Sequence, residues 1–177
     1  RVDLLDHGIQ VDLTTTPRVG IHRYRLNQPD TLTLIVDMNH RDELVHYSIY
    51  PMNDSTLVGH RVSHNWATEQ HVYFAARFDR AFQWQDQLSE MTDLGHSTDG
   101  VLRQEMEFVP VFACDFGVVD ELNARVALSF VSIEGALKNL KAEAPTTDFN
   151  PYLQEATANW DDQLACVIAD GGTDDDR

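Results

Sequence analysis

The sequence predicts a mainly β fold, an antiparallel sandwich or barrel-like sheet pair, that ends in two helices. Three observations carry this expectation. The first two-thirds of the chain alternate apolar and polar residues with period two. Turn residues punctuate the alternation. After Phe130 the period changes to that of a helix.

The elements follow in order. Ile9, Val11 and Leu13 form a first apolar face. Leu32, Leu34, Val36 and Met38 form a second, opposite Thr31, Thr33, Ile35 and Asp37. Val72, Phe74, Ala76 and Phe78 repeat the pattern, then Phe108, Phe112, Cys114 and Phe116, then Ala124, Val126, Leu128 and Phe130. Such alternation places one face of a strand in a core and the other in water. Asp6-His7-Gly8, Asn27-Gln28-Pro29-Asp30, Asn53-Asp54-Ser55 and Asp99-Gly100 supply turn chemistry between the runs. The polar stretch Gln83–Gly100 lacks alternation and is expected to be a long surface loop or a widely spaced hairpin.

Ser132 suits a helix N-cap, with Glu134 in the first turn and Ile133, Ala136, Leu137 and Leu140 on one stripe. Pro145 closes that helix. Asn150-Pro151 reads as a cap followed by proline at the first helical position. Leu153, Ala156, Trp160 and Leu164 continue an apolar stripe along the second helix, where Trp160 reads as packing. Val167 and Ile168 are candidates for a short last strand.

The chain has 177 residues, 42% hydrophobic and 24% charged, which suits one globular domain. Its 29 acids against 13 bases give a formal net charge of -16. That balance argues against nucleic acid as a partner, because phosphates are neutralised by Lys and Arg, and against docking on an anionic membrane. No transmembrane span or signal peptide is visible. Two cysteines, Cys114 and Cys166, do not make a disulfide scaffold; Cys114 reads as a small core residue, and a bridge between the two stays open. The chain starts at Arg1 and ends in an acidic tail, and both ends are read as cuts within a longer protein.

Between two strand-like runs lies Gly59-His60-Arg61-Val62-Ser63-His64-Asn65-Trp66-Ala67. A simple connector needs Gly, Pro, Asn or Asp to set its dihedrals, not Arg, two His and Trp. Arg and Asn offer several fixed donors that suit vicinal hydroxyls, and Trp offers a stacking face. Arg61, Ser63, His64, Asn65 and Trp66 are therefore the candidate binding residues, for a polyhydroxylated ligand or a domain contact. His60 and His64 stand four apart outside any helical stretch and do not make a zinc pair. Among 29 acids, sequence proximity singles out no catalytic carboxylate pair, and Gly-x-Ser-x-Gly and phosphate-binding glycine loops are absent. His-Arg recurs at His22-Arg23, His40-Arg41 and His60-Arg61. Arg23, on a strand, is expected to bury its stem against the sheet, and Arg41 to pair with Asp42. Trp84 is left undetermined.

Three stretches together resemble the N-terminal domain of glycoside hydrolase family 92, bacterial exo-acting α-mannosidases. They are Val11–Tyr24 (Val-Asp-Leu-Thr-Thr-Thr-Pro-Arg-Val-Gly-Ile-His-Arg-Tyr), Gly59–Phe74 with Arg77–Phe82, and Val131–Glu143 with Trp160 downstream. The resemblance covers nearly the whole chain in motif order. It implies an antiparallel β-sandwich of the supersandwich type over 1–130, its early part missing, and a helical connector over 131–177 leading to a helical-barrel catalytic domain. It further implies a calcium-dependent, inverting enzyme that removes terminal α-linked mannose from glycans. The acid, the base and the calcium would belong to the catalytic domain, so this chain alone is expected to be inactive and to bind no metal. Trp66 matches the family's motif tryptophan and is implied to line the sugar pocket, with Arg61 and Ser63 orienting it. Asn65 stands where the family has glycine, and Asp79 and Ala81 where it has serine and proline. A periplasmic, cell-surface or secreted location is implied by the resemblance alone. The rival readings are a stand-alone carbohydrate-binding module and a purely structural interaction domain.

Overall fold

Strands form where alternation predicts them, and two of them, Val19–Asp37 and Val111–Ser129, run longer than the turn signals imply. The computed structural model describes residues 1–85, 110–166, 171–173 and 175. Among these, β1 (Val2–Leu4), β2 (Ile9–Thr15), β3 (Val19–Asp37), β4 (Glu43–Asn53), β5 (Thr56–His64), β6 (Gln70–Phe78), β7 (Gln83–Gln85) and β8 (Val111–Ser129) precede α1 (Ile133–Glu143) and α2 (Phe149–Leu164). The pairing order is β1-β2-β3-β8-β6-β5-β4, all antiparallel, and β7 also pairs with β8.

The expected turn at Asn27–Asp30 is an irregularity inside the 19-residue β3. Register against β8 slips between Arg25 and Asp30 and again between Thr31 and Thr33. Pro29 has no N–H to give to a ladder, so a bulge there costs little. Opposite the second slip, Gly117 takes φ 63, a left-handed value that favours glycine. The features expected over 86–100, at Phe108 and at Val167 and Ile168 lie outside the described residues.

Two cores result. One joins Leu32 on β3, Leu57 on β5, Ala76 and Phe78 on β6, and Cys114, Phe116 and Leu122 on β8. Both halves of β8 contribute, which is the sandwich interior. Trp84 belongs here, paired with Cys114 and stacked on Phe112 at 5.4 Å. Burial pushes the Cys114 thiol up to about 12. Cys166 is exposed, and the two cysteines are free.

The second core covers the opposite face of the sheet. Val19, Ile21, Val58, Ala75 and Ala127 meet Ala136, Leu140 and Ala144 of α1 and Phe149 and Tyr152 of α2. Alternation therefore misassigns β8's end. Leu128 and Phe130 are exposed, whereas Arg125, Ala127 and Ser129 are buried. On β2 the same correction applies: Leu13 is exposed and Asp12 and Thr14 are buried.

Both helices form. Ser132 Oγ accepts from Gly135 N at 3.0 Å, as its N-cap position demands. The second cap is Asp148 rather than Asn150: Asp148 Oδ1 accepts from Asn150 N at 3.1 Å. Pro151 still falls in the first turn, where a missing N–H has no intrahelical partner to lose. The stripe on α2 is corrected too. Phe149 and Tyr152 are buried, while Leu153, Trp160 and Leu164 face outward.

Asp12 ties the sheet to α2. Its carboxylate accepts from Arg1 Nε at 2.8 Å, Arg23 Nη2 at 2.8 Å and Arg25 Nη2 at 2.7 Å. Arg23, whose stem is buried as expected, also lies 4.5 Å over the Phe149 ring. The Arg1 hydrogen bond, then those of Arg23 and the charge of Arg25, hold the Asp12 carboxyl down at about 2. A carboxyl depressed in the folded state stabilises it above the unfolded value of about 4, and loses that effect as pH falls from about 4 to about 2. The Tm difference between the protein and Asp12→Asn is therefore expected to be full at pH 7 and to shrink across that acid window. A difference that stays constant from pH 7 to pH 2 contradicts this role.

Candidate functional site

Gly59–His64 is not part of a loop; it is β5, and the turn is confined to residues 65–69 before β6. The five candidate residues then take different places. Ser63 is buried in β5, opposite Leu44 and Gln70. His64 ends the strand, and its Nδ1–H donates to Thr68 O at 2.7 Å, which spans the turn. Asn65 N–H donates to Ala67 O at 3.2 Å, and Asn65 Nδ2 donates to Asp42 Oδ1 at 2.8 Å. Trp66 stands at the tip with 95% of its surface exposed. Tryptophan is rarely so exposed without a contact to make.

Arg61 points to the neighbouring turn. Its Nε donates to Met38 O at 2.8 Å, and its Nη2 donates to His40 O at 3.1 Å and Asp42 O at 3.0 Å. Three of the five guanidinium donors are thus committed to the backbone of the β3–β4 turn. That turn contains Arg41 at φ 68, the one non-glycine with positive φ among the described residues. Such a conformation costs about 1–2 kcal/mol without compensation. Asn65 does not take a positive φ, so the glycine usual at its position is not needed for the turn. Asp42, expected to pair with Arg41, serves Asn65 instead.

Sequence reasoning missed a histidine cluster beside this site. His60 Nε2 and His71 Nδ1 lie 3.1 Å apart, and His60 stacks on Tyr73 at 4.1 Å between ring centres. The His46 ring is 6.0 Å from that of His60. Burial, then the His71 and His46 rings, lower the His60 pKa, which favours the neutral His60 ring. The signal lay in register, since His60 pairs with Tyr73 across β5–β6 and one strand position separates it from His71. No group of three His, Cys, Asp or Glu among the described residues converges on a possible metal position.

Strand register brings several connections to one end of the sheet. Ser63 pairs with Gln70, Glu43 with His64, and Tyr73 with Ser129. Leu128 N donates to Arg18 O of the β2–β3 turn. The Trp66 turn, the β2–β3 turn and the β8–α1 junction therefore share that end. Phe130 and Val131 stand there 70% and 82% exposed. Beside them runs an open, mainly apolar groove of ≈ 870 Å³ lined by Pro17, Val126, Leu128, Phe130 and Val131.

The family model for the glycosyl hydrolase family 92 N-terminal domain matches residues 1–129. The chain belongs to glycoside hydrolase family 92. Among solved structures, a family 92 α-mannosidase from Bacteroides thetaiotaomicron is 26% identical with TM-score 0.74, over 96% of this chain and 24% of that one. The α-mannosidase complex with mannoimidazole gives 26% identity and TM-score 0.73, over 96% and 23%. The fold is also that of an inverting mannosidase of the same species, strain VPI-5482, at 21% identity and TM-score 0.69, over 94% and 22%. No curated protein matches the chain. The family 92 domain described here thus spans about a quarter of the length of the solved relatives.

Proposed function

We propose that this domain is the non-catalytic N-terminal part of a calcium-dependent, inverting α-mannosidase, that it packs on a helical-barrel catalytic domain, and that Trp66 forms one wall of the mannose pocket. The observation that carries the reading is Trp66 itself: an almost fully exposed indole on a turn pinned by hydrogen bonds, in a family 92 domain. An indole face suits the apolar face of a sugar ring. The exposed Phe130 and Val131, with the groove they line, offer contact area to a second domain. The division follows the sequence expectation: 1–130 as the sheet domain and 131–177 as connector.

Inversion requires a general acid, and a base that activates water on the other face of the sugar. Asp12, the one buried carboxylate among the described residues, is held by three arginines. On the family resemblance, both catalytic carboxylates and the calcium are assigned to the catalytic domain. A mannose-containing glycan is the substrate, and a periplasmic, surface or secreted location is proposed on the family resemblance alone.

Trp66→Ala in the full-length enzyme is the test. Because the side chain is exposed, stability should change by no more than about 0.5 kcal/mol, while kcat/KM on an α-mannoside should fall at least about tenfold, the loss of about 1.4 kcal/mol of stacking. Unchanged kinetics remove Trp66 from the pocket. The 177-residue chain alone should release no mannose. Titrating it with mannose separates the rival reading, since clear affinity in isolation favours a stand-alone binding module.

A further inference from the structure

We infer that Arg61 is a positioning residue for Trp66, acting through the β3–β4 turn rather than on sugar. The inference rests on the reading of Trp66 as a pocket wall and deepens it. The connection is continuous in space. Arg61 fans three N–H groups onto the carbonyls of Met38, His40 and Asp42. Met38 is buried and its N–H donates to Pro110 O at 3.0 Å, which anchors the start of the turn. Asp37 Oδ1 accepts from Asn39 N at 2.8 Å and shapes the next step. The turn then presents Asp42 Oδ1 to Asn65 Nδ2 at 2.8 Å, directly before Trp66. On the far side of the tip, His64 Nδ1–H closes onto Thr68 O. Two hairpin tips that are separate in sequence thus form one platform, and the indole projects from it with no packing of its own.

Guanidinium geometry is essential to this arrangement. A fixed planar fork can serve three carbonyls of one turn at once, whereas an ammonium on a flexible stem cannot hold the same set. The left-handed Arg41 in the same turn gives the clamp a second task, because that backbone relaxes elsewhere once its carbonyls are released.

The experiment has two arms. In the 177-residue chain labelled with 5-fluorotryptophan, three 19F lines are expected, and Trp66→Phe assigns one. In Arg61→Met, and in the half-buried surface variant Asp42→Ala, the Trp66 line should shift and sharpen while those of Trp84 and Trp160 stay. In the full-length enzyme, Arg61→Met should lower kcat/KM on an α-mannoside about as much as Trp66→Ala. The double variant should be no slower than Trp66→Ala alone, and Arg61→Lys should restore little. A Trp66 line unmoved in both variants overturns the inference whatever the kinetics. So does full additivity of Arg61→Met and Trp66→Ala, which assigns the two residues separate roles. If Trp66→Ala alone leaves kcat/KM unchanged, the pocket reading fails; the fluorine arm then still decides whether Arg61 orders the turn. Should Arg61→Met not fold, Asp42→Ala carries both arms, with the same outcomes.

Discussion

Gly59→Val is expected to destabilise the domain by about 3 kcal/mol, at the upper end of what overpacking costs. Gly59 sits in mid-strand, flanked by β4 and β6, and its backbone φ is not positive. Conformation is therefore not what requires glycine there. Space is. A Cβ at Gly59 would lie 2.5 Å from Phe74 Cε1, 2.6 Å from Phe74 Cζ and 2.8 Å from the carbonyl oxygen of Ser48. Phe74 is the cross-strand partner of Gly59, and its ring lies over the bare backbone. The ring could swing away, but the Ser48 carbonyl belongs to β4 and moves only with that strand. Gly59→Ala should cost roughly half as much as valine, because one methyl must be accommodated instead of three carbons. Urea denaturation measures both. A change below about 0.5 kcal/mol for valine would mean that β4 yields freely, contrary to a close-packed sheet.

The same position illustrates how far sequence reading goes. Gly59 opens the motif that directed attention to this part of the chain, and in the sequence that motif reads as a loop between two strand-like runs. It is a strand because its neighbours on both sides supply hydrogen-bonding partners, which local sequence does not reveal. The sandwich and its C-terminal helices were legible, since Leu32 and Met38 and the Ile133–Leu140 stripe carry clean periods of two and 3.6. Alternation failed where the sheet is covered on both faces. Beneath α1 and α2, Ala75 and Ala76 are both buried, as are Leu57 and Val58, so no polar side remains to mark the pattern. The small residues at Ala75, Ala127 and Ala136 were the available signal, because they allow a helix to approach a sheet closely.

The site was legible in part. Residue types identified the Trp66 turn, but the roles of its members depend on partners distant in sequence. Arg61 finds carbonyls 19 to 23 residues upstream, and Asn65 finds Asp42 23 residues upstream. Period and propensity are local quantities and carry no record of such pairings. Even the exposure of Trp66 runs against composition, since tryptophan ordinarily seeks a core. It is exposed because the turn is held by hydrogen bonds and leaves the indole nothing to pack on.

Arg125→Ala should destabilise the domain by about 3 kcal/mol and loosen the helical connector first. Arg125 is buried on β8, opposite Arg77 of β6, and its Nη1 donates to Ala144 O at 2.9 Å and Thr146 O at 3.0 Å. Burial, and then the nearby Arg77 charge, lower its pKa, so the site is costly for a cation and is held by those carbonyls. Ala144 and Thr146 are the hinge between α1 and α2. Tyr152 grips the same hinge, accepting from Thr146 N and donating to Thr146 O, both at 3.0 Å. Truncation removes two charge-assisted bonds, leaves two carbonyls without that donor and opens a cavity under α1; relief of the buried charge offsets only part of this. Tyr152→Phe should act in the same direction by about 1 kcal/mol, the worth of an ordinary hydrogen bond. Because both side chains hold one hinge, the double variant should be less than additive. Amide exchange gives the sharper reading: protection should fall along α1 and α2 in Arg125→Ala before it falls in β5 or β6. Uniform loss across the sheet would instead make Arg125 a general core residue, and unchanged protection at both helices would mean that the connector is held by Phe149, Leu140 and Ala144 packing alone.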